Sequence, residues 1–185
     1  MKTFAALLHH SRLADASILP SALARPGPGR SSRSDPFYHE RWRVHLVGSV
    51  STLGEQQRLH AQGSGYGDPL GPVEIQIDLS LVPFEDGRPR LHRAFRATGR
   101  SRSTTAGGDV LVIGFVGTLR CEIVRDDDPS GGARVGFELA WQTLPDGLGT
   151  LSGAIGAGII RGRSHPEGGY HGQTTGTLAR PASAG

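Results

Sequence analysis

The polar residues that could carry chemistry do not form a classical catalytic motif in this chain of 185 residues. The eight histidines contain no His-x-His or His-Glu-x-x-His pattern, which favours surface histidines over a metal site, although neighbouring strands could still bring three imidazoles together. Gly63-Ser64-Gly65 lacks the Gly-x-Ser-x-Gly nucleophile elbow. Cys121 has no Cys-His signature near it, which predicts a small apolar strand residue. We therefore expect neither a metal nor a cofactor.

Aromatic side chains are the residues best suited to bind a ligand. They lie in segments with the period-two pattern of strands: Trp42, Tyr66, Phe95, Phe115, Phe137 and Trp141. The interior of an eight-stranded barrel is either filled by side chains or holds one small ligand. Because the chain has 28 glycines, several of them within these segments, a cavity lined by aromatic rings is favoured. A solid aromatic core is the alternative.

Arg93 and Tyr66 are the candidates for a catalytic polar group at such a cavity. Arg93 shares a strand face with Leu91 and Phe95, so it points into the cavity in one strand phase and to solvent in the other. A buried guanidinium requires a partner, which is either a carboxylate of the protein or an acidic group of the ligand.

These residues are expected to lie on strands, because apolar and polar residues alternate with period two from about residue 37 onward. Residues 73–81 alternate perfectly between aliphatic and polar side chains, which indicates a strand with one buried face. Further strands are predicted over 41–47, 57–66, 91–97, 110–119 and 134–141, with two glycine-rich strands after residue 147. The connections are too short for crossover helices. The predicted fold is an all-β, eight-stranded antiparallel up-and-down β-barrel, because closure of such a sheet avoids exposed edges.

Glycines recur through residues 147–162 and 168–178, between residues that favour strands. Glycine weakens an ordinary strand, so this pattern predicts sharply coiled strands, bulges or close approach of backbones. A phosphate-binding loop would be followed by a helix, and no helical pattern follows here. The glycines are therefore predicted to close the barrel.

Residues 110–119 are apolar at both strand phases, so both faces of this strand are expected to be covered. An apolar outer face on a barrel strand is typical of a subunit interface, which predicts a homodimer.

Three zones divide the chain. Residues 1–19 are predicted to form a helix that presents Phe4, Leu7 and Leu8 on one face, and residues 20–36 have the proline, glycine and serine content of a linker. Residues 37–182 form the predicted barrel domain. On this seventeen-residue linker the helix could fold back as a lid over a barrel cavity.

Charge and hydropathy narrow the expected partners. The net charge is only +3, the cations are almost all arginine, and the arginine-rich run at 88–102 is predicted to be solvated, so no nucleic-acid partner is expected. No apolar run approaches the roughly 20 residues that span a bilayer, so no membrane partner is expected. The N-terminus begins like a secretion signal, but His9, His10 and Arg12 interrupt the apolar run, which favours a cytoplasmic protein.

Two glycine-rich motifs resemble a known superfamily. The run Gly147-Leu-Gly-Thr-Leu-Ser-Gly-Ala-Ile-Gly-Ala-Gly158, followed by Thr175-Gly-Thr-Leu178, resembles the closing strands of the allene oxide cyclase-like and dirigent-like barrels. The stretch Ser64-Gly-Tyr-Gly-Asp-Pro-Leu-Gly71 is similar to their turn between the second and third strands. The resemblance covers roughly residues 40–180, and it specifies the fold better than the chemistry.

Within that superfamily, the design is most similar to the bacterial spiro-forming cyclases of tetronate and tetramate polyketide pathways. The resemblance implies a cofactor-free enzyme of natural product and antibiotic biosynthesis that catalyses an intramolecular 4+2 cycloaddition (a Diels-Alderase) on a hydrophobic small molecule. No active-site residue is transferred from the family. Arg93 and Tyr66 are the candidate catalytic residues, Trp42, Phe95, Phe115, Phe137 and Trp141 the candidate substrate contacts, and Phe4, Leu7 and Leu8 the lid. A non-catalytic barrel that binds a small molecule and a secreted dirigent-like protein are the alternatives.

Overall fold

The computed structural model describes residues 37–47, 51–53, 56–84, 92–123, 133–165 and 167–180. The predicted helix 1–19, with Phe4, Leu7 and Leu8, and the linker 20–36 lie outside these residues. Within the described ranges, no helix has the length and apolar character needed to cross a membrane.

Strands make up nearly all of the described chain. They are β1 (Phe37–Leu46), β2 (Ser51–Leu53), β3 (Gln56–Asp68), β4 (Gly71–Phe84), β5 (His92–Thr105), β6 (Val110–Ile123), β7 (Ala133–Thr143), β8 (Ile155–Ser164) and β9 (Tyr170–Ala179). Consecutive strands from β3 to β9 pair antiparallel, and β1 pairs with both β9 and β3, which closes the sheet. The short β2 pairs antiparallel with the first residues of β3 and stands at the end of the strand order, beyond the eight strands of the closed barrel. The predicted eight-stranded antiparallel up-and-down barrel is confirmed.

One end of the barrel is closed by packed side chains. This closed end carries the start of β1, the end of β9 and the loop between β7 and β8. Tyr38, Leu111, Leu151 and Leu178 meet there, and none of them is more than 3% exposed. The side chain of Leu151 comes from the β7–β8 loop, so this loop supplies part of the closure.

The β7–β8 loop corrects the prediction of a coiled strand that begins near residue 147. Gly149–Leu151 form a short 3₁₀ turn, and β8 starts only at Ile155. Asp109 holds this turn in place, because its carboxylate accepts hydrogen bonds from the Thr150 backbone N–H at 2.8 Å and from the Thr150 hydroxyl at 2.7 Å. Gly149 has a φ of +66°, a backbone conformation that side-chain-bearing residues rarely adopt.

The glycines of β8 and β9 make room for aromatic rings. One row of cross-strand partners runs from Trp42 on β1 through Gly172 on β9 and Gly162 on β8 to Phe137 on β7. The two glycines therefore lie between the two aromatic residues. The two rings lie over these glycines and stack with their centroids 6.0 Å apart and their planes 12° apart. A Cβ atom on Gly172 would lie 2.5 Å from Trp42 Cζ2, which is closer than real atoms approach.

A second row repeats this pattern toward the closed end. Gly176 and Gly158 separate Tyr38 from Trp141, whose rings meet edge to face at 5.7 Å. Gly176 and Gly158 allow close approach of backbones, as predicted, because a Cβ on either would lie 2.1 Å or 1.9 Å from a carbonyl oxygen of the neighbouring strand. Gly172 and Gly162 extend the prediction, because they also make room for aromatic rings.

The outer face of β6 is covered in part. Val110 and Val112 are buried at 2% and 5% exposure, whereas Val116 is 52% exposed. Leu144 of the β7–β8 loop covers this face at Gly114, where an added Cβ would lie 3.2 Å from Leu144 Cδ2. The homodimer predicted from this strand stays a prediction.

Replacing Gly172 with alanine should destabilise the barrel, because the new methyl group would collide with the Trp42 ring and with the carbonyl oxygen of Arg161 at 2.6 Å. We expect the free energy of unfolding to fall by about 1–3 kcal/mol, as overpacked cores do. Gly136→Ala is the matched control, because a Cβ on this β7 glycine meets no atom within 4 Å. Chemical denaturation of both variants checks the expectation, and equal stability of Gly172→Ala and the parent protein would contradict it.

Candidate functional site

A cavity of about 70 Å³ lies inside the barrel. All eight barrel strands contribute to its lining, and most of the lining side chains are aliphatic or aromatic. It extends from Glu40, just above the closed end, to Leu46 and Tyr170 near the opposite ends of β1 and β9. The polar side chains that line it are Glu40, Ser101, Ser103, Tyr170 and Thr174.

Among the polar side chains that line the cavity, Glu40 is the best candidate for a functional residue. Its side chain enters the interior from β1 and is only 4% exposed. The Tyr38 hydroxyl donates a hydrogen bond to Glu40 Oε2. The Ser103 hydroxyl on β5 lies 3.4 Å from Oε2 and 3.5 Å from Oε1, which are long contacts. Oε1 therefore keeps most of its hydrogen-bonding capacity.

The surroundings of Glu40 favour the uncharged form of its carboxyl. Burial raises the pKa of Glu40 above its ordinary value, and the hydrogen bonds from Tyr38 and Ser103 offset part of that rise. Burial, together with the charge of Glu40, also raises the pKa of the Tyr38 hydroxyl, which therefore stays a hydrogen-bond donor. The pair can supply a proton donor inside an apolar space.

The rings of Trp42 and Phe137 line the cavity together with Glu40. Trp42 is fixed by its indole N–H, which donates to the Thr174 hydroxyl at 3.1 Å, and by its stacking on Phe137. Thr174 is the cross-strand neighbour of Glu40 on β9. The hydroxyl of Tyr170 lies farther along the cavity, where burial and then the charge of Cys121 raise its pKa to about 12. Cys121 itself is buried, as an apolar strand residue is expected to be.

The five predicted substrate contacts divide into two groups. Trp42, Phe115 and Phe137 line the cavity. Phe95 and Trp141 are 2% and 3% exposed and belong to the packed core, where Trp141 contacts Tyr38. Cavity and core positions share the inward strand phase, so alternation in the sequence cannot separate them.

Tyr66 does not lie at the cavity, which corrects its prediction as a polar group there. It is 63% exposed on the outer face of β3, opposite Arg41 of β1. The inward positions of β3 are the odd-numbered ones, such as Leu59 and Ala61, and Tyr66 has the other phase. Arg93 lies in β5 and pairs with Cys121, but its side chain is outside the described part of the structure. Its catalytic role stays a prediction.

Glu40 was missed from the sequence because the first strand was predicted to begin at residue 41. The strand in fact begins at Phe37. Extending the inward phase of Trp42, Val44 and Leu46 backwards by two and four residues reaches Glu40 and Tyr38. A carboxylate on an otherwise apolar strand face is the signal that would have identified it.

Histidines within the described residues do not form a metal site. His165 and His171 meet at the β8–β9 turn with their ring centroids 5.3 Å apart, and His60 pairs with Asp78 on the outer surface at 2.7 Å. In the described ranges, no group of three His, Cys, Asp or Glu side chains is placed to hold a metal ion.

Comparison of the chain with family models, with curated proteins and with solved structures finds no match. The resemblance to the allene oxide cyclase-like and dirigent-like barrels stays a prediction from the sequence motifs.

Replacing Glu40 with glutamine should change how stability depends on pH. With a folded-state pKa above the unfolded value of about 4.3, the folded protein holds more protons between the two values, so its stability falls as pH rises through that window. Glu40→Gln has no such proton to lose. We expect its advantage in unfolding free energy over the parent protein to grow with pH across the window and then to level off.

Denaturation series at several pH values measure this difference. Glu138→Gln is the matched control, because Glu138 is 62% exposed and pairs with Arg161 on the outer surface. This control should keep the pH-dependent loss of stability that Glu40 causes. A constant difference between Glu40→Gln and the parent protein at all pH values would contradict the account.

Proposed function

We propose that the barrel binds an apolar small molecule in its cavity and catalyses the cofactor-free, intramolecular 4+2 cycloaddition of a polyketide-derived tetronate or tetramate. The observation that carries this proposal is a buried carboxyl, Glu40, which is the only one among the described residues that line a mostly apolar cavity inside an eight-stranded barrel. Barrels of this kind are compatible with small-molecule binding. The cyclase chemistry is the more specific part of the proposal.

The lining of the cavity could hold a flexible substrate in one folded conformation, which is the main requirement of an intramolecular cycloaddition. The reacting diene and dienophile have to meet in one folded conformation of a flexible substrate, and enforcing such a geometry lowers a barrier by up to roughly 7–11 kcal/mol in ideal cases. Trp42 and Phe137 line the cavity and stack on each other, so they offer aromatic contacts of fixed orientation to a planar conjugated chain. Their fixed orientation supports this role.

Glu40 is the group we assign to activate the substrate. As an uncharged acid it donates a hydrogen bond to a carbonyl that is conjugated with the dienophile, and this bond withdraws electron density from the reacting double bond. Burial among apolar side chains strengthens the interaction, because electrostatic attraction is screened less there than in water. Arg93 remains a second candidate for this role.

The alternative function is a barrel that holds a small apolar molecule without changing it. The cavity volume of about 70 Å³ favours a ligand much smaller than a polyketide, because it is less than half the volume of about 150 Å³ in an engineered cavity that holds one benzene molecule. A polyketide substrate would have to widen the cavity or extend beyond it. Recovery of a bound ligand unchanged after long incubation distinguishes this function from the cyclase.

Turnover of a linear polyene tetronate or tetramate tests the catalytic role of Glu40. Glu40→Leu should lower turnover by about 10²-fold, as the loss of one preorganised donor does in other enzymes. Glu40→Gln keeps an N–H donor and should lose roughly tenfold or less. Glu138→Gln, on the outer surface, should leave turnover unchanged. Product formation followed by mass spectrometry gives the rates, and absence of product from every such substrate would refute the cyclase.

Removing residues 1–19 tests the predicted lid. Because β1 begins at the closed end, a lid over the opposite end would require the linker 20–36 to span the full height of β1. Seventeen extended residues reach about 56 Å, and the ten residues of β1 span about 33 Å, so the length is sufficient. We expect sharply lower turnover with an unchanged circular dichroism spectrum, because the lid excludes water. Unchanged turnover would rule out the lid.

A further inference from the structure

We propose that the cavity next to its closed end selects ligands that carry an uncharged hydrogen-bond acceptor, such as a ketone, lactone or amide carbonyl, and rejects carboxylates. This inference rests on one part of the proposed function, namely that the cavity is the ligand site. It does not depend on any reaction there.

The charges around the cavity argue against an anionic ligand, so a tetronate or tetramate, which is acidic, would have to bind in its protonated, uncharged form. Among the described residues that line it, none is an arginine, lysine or histidine, and the only carboxyl is Glu40. A carboxylate that entered would lose its hydration without gaining a positive partner. It would also repel Glu40 if that group were ionised. An uncharged acceptor has neither cost.

The hydrogen-bond donors next to Glu40 are arranged to meet an acceptor. Glu40 Oε2 already accepts the Tyr38 hydroxyl, so the proton of the neutral acid is placed on Oε1, which has only the 3.5 Å contact to Ser103. The Thr174 hydroxyl accepts from the Trp42 indole, and its own proton is left to donate. Thr174 and Glu40 are direct neighbours across β9 and β1. A carbonyl oxygen has two lone pairs and can accept from both donors.

An amine is the competing ligand class. An ammonium group would pair with an ionised Glu40 and would find the faces of Trp42 and Phe137 nearby. Binding it would require Glu40 to give up its proton in a site that is 4% exposed. The geometry therefore favours the uncharged carbonyl, and the amine becomes an outcome of the experiment.

The groups that face Glu40 set the expected pH dependence. They are Tyr38 on the same strand, Ser103 on β5, Thr174 on β9 and Gly67 on β3. Only Tyr38 among these neighbours titrates, and its raised pKa keeps it protonated. Affinity for a carbonyl ligand should therefore be constant at acid pH and fall as pH rises through the pKa of Glu40.

Binding of three small probes of similar size, chosen to suit a cavity of about 70 Å³, tests the proposal: acetone, acetate and isopropylamine. Tryptophan fluorescence reports binding, because Trp42 lines the cavity, and calorimetry confirms it. Near neutral pH the ketone should bind at least about tenfold more tightly than acetate. Comparable or tighter binding of acetate would overturn the proposal, as would tighter binding of isopropylamine that is lost in Glu40→Gln.

Two variants of Glu40 sharpen the test. Glu40→Gln presents a carbonyl to Tyr38 and an N–H donor to the ligand, so it should keep the ketone affinity within about threefold and lose its pH dependence. Glu40→Leu should weaken ketone binding by about three- to tenfold, the loss expected for one hydrogen bond. Glu138→Gln should match the parent protein. The same ketone affinity in Glu40→Leu as in the parent would refute a role for the carboxyl.

The outcomes also separate this proposal from the cyclase. Ketone binding without cyclisation of any polyene substrate would leave the selectivity standing and refute only the catalysis. Failure of all three probes to bind the parent protein would overturn the selectivity, whatever the turnover assay gives. The comparison of probes in the parent protein does not depend on the folding of a variant.

Discussion

Close contact between glycine backbones and aromatic rings is the constraint on which the rest of this barrel depends. Trp42 and Phe137 lie over Gly172 and Gly162, and the next pair of glycines along the same strands separates Tyr38 from Trp141. Glycines have no side chain, so they leave room for the rings of Trp42 and Phe137 next to the strands. Such packing can close the barrel with large side chains and still leave a cavity between them.

The lining of the cavity in turn determines which protonation state of Glu40 is favoured. Aliphatic and aromatic side chains surround it, the closed end packs beneath it, and the Tyr38 hydroxyl holds one of its oxygens. A carboxyl in such a place gains little from ionisation, because burial removes the water that stabilises its charge. The same packing that closes the barrel thus raises the pKa of Glu40 and favours its neutral form, which links the fold to the carbonyl recognition and the cyclisation we propose.

Sequence alternation was sufficient to predict the fold, because inward and outward residues alternate along long strands such as β4. It was insufficient where the local structure depends on backbone geometry or on contacts between distant strands. The turn at Gly149 depends on Asp109 of another loop, and the pairing of Gly172 with Trp42 depends on strand register. The site was predicted in part. Trp42, Phe115 and Phe137 line the cavity, whereas Tyr66 has the outward phase and Glu40 lay before the predicted start of its strand.

The central claim is that Glu40 is an uncharged hydrogen-bond donor inside the barrel. An NMR titration of glutamate side-chain carboxyl carbons tests it most directly, with the Glu40 signal assigned by its loss in Glu40→Gln. We predict that this carboxyl titrates above about 4.3, the ordinary value for glutamate, because burial raises its pKa. A midpoint at or below that value would mean that Glu40 is ionised in the folded protein, and it would contradict the claim.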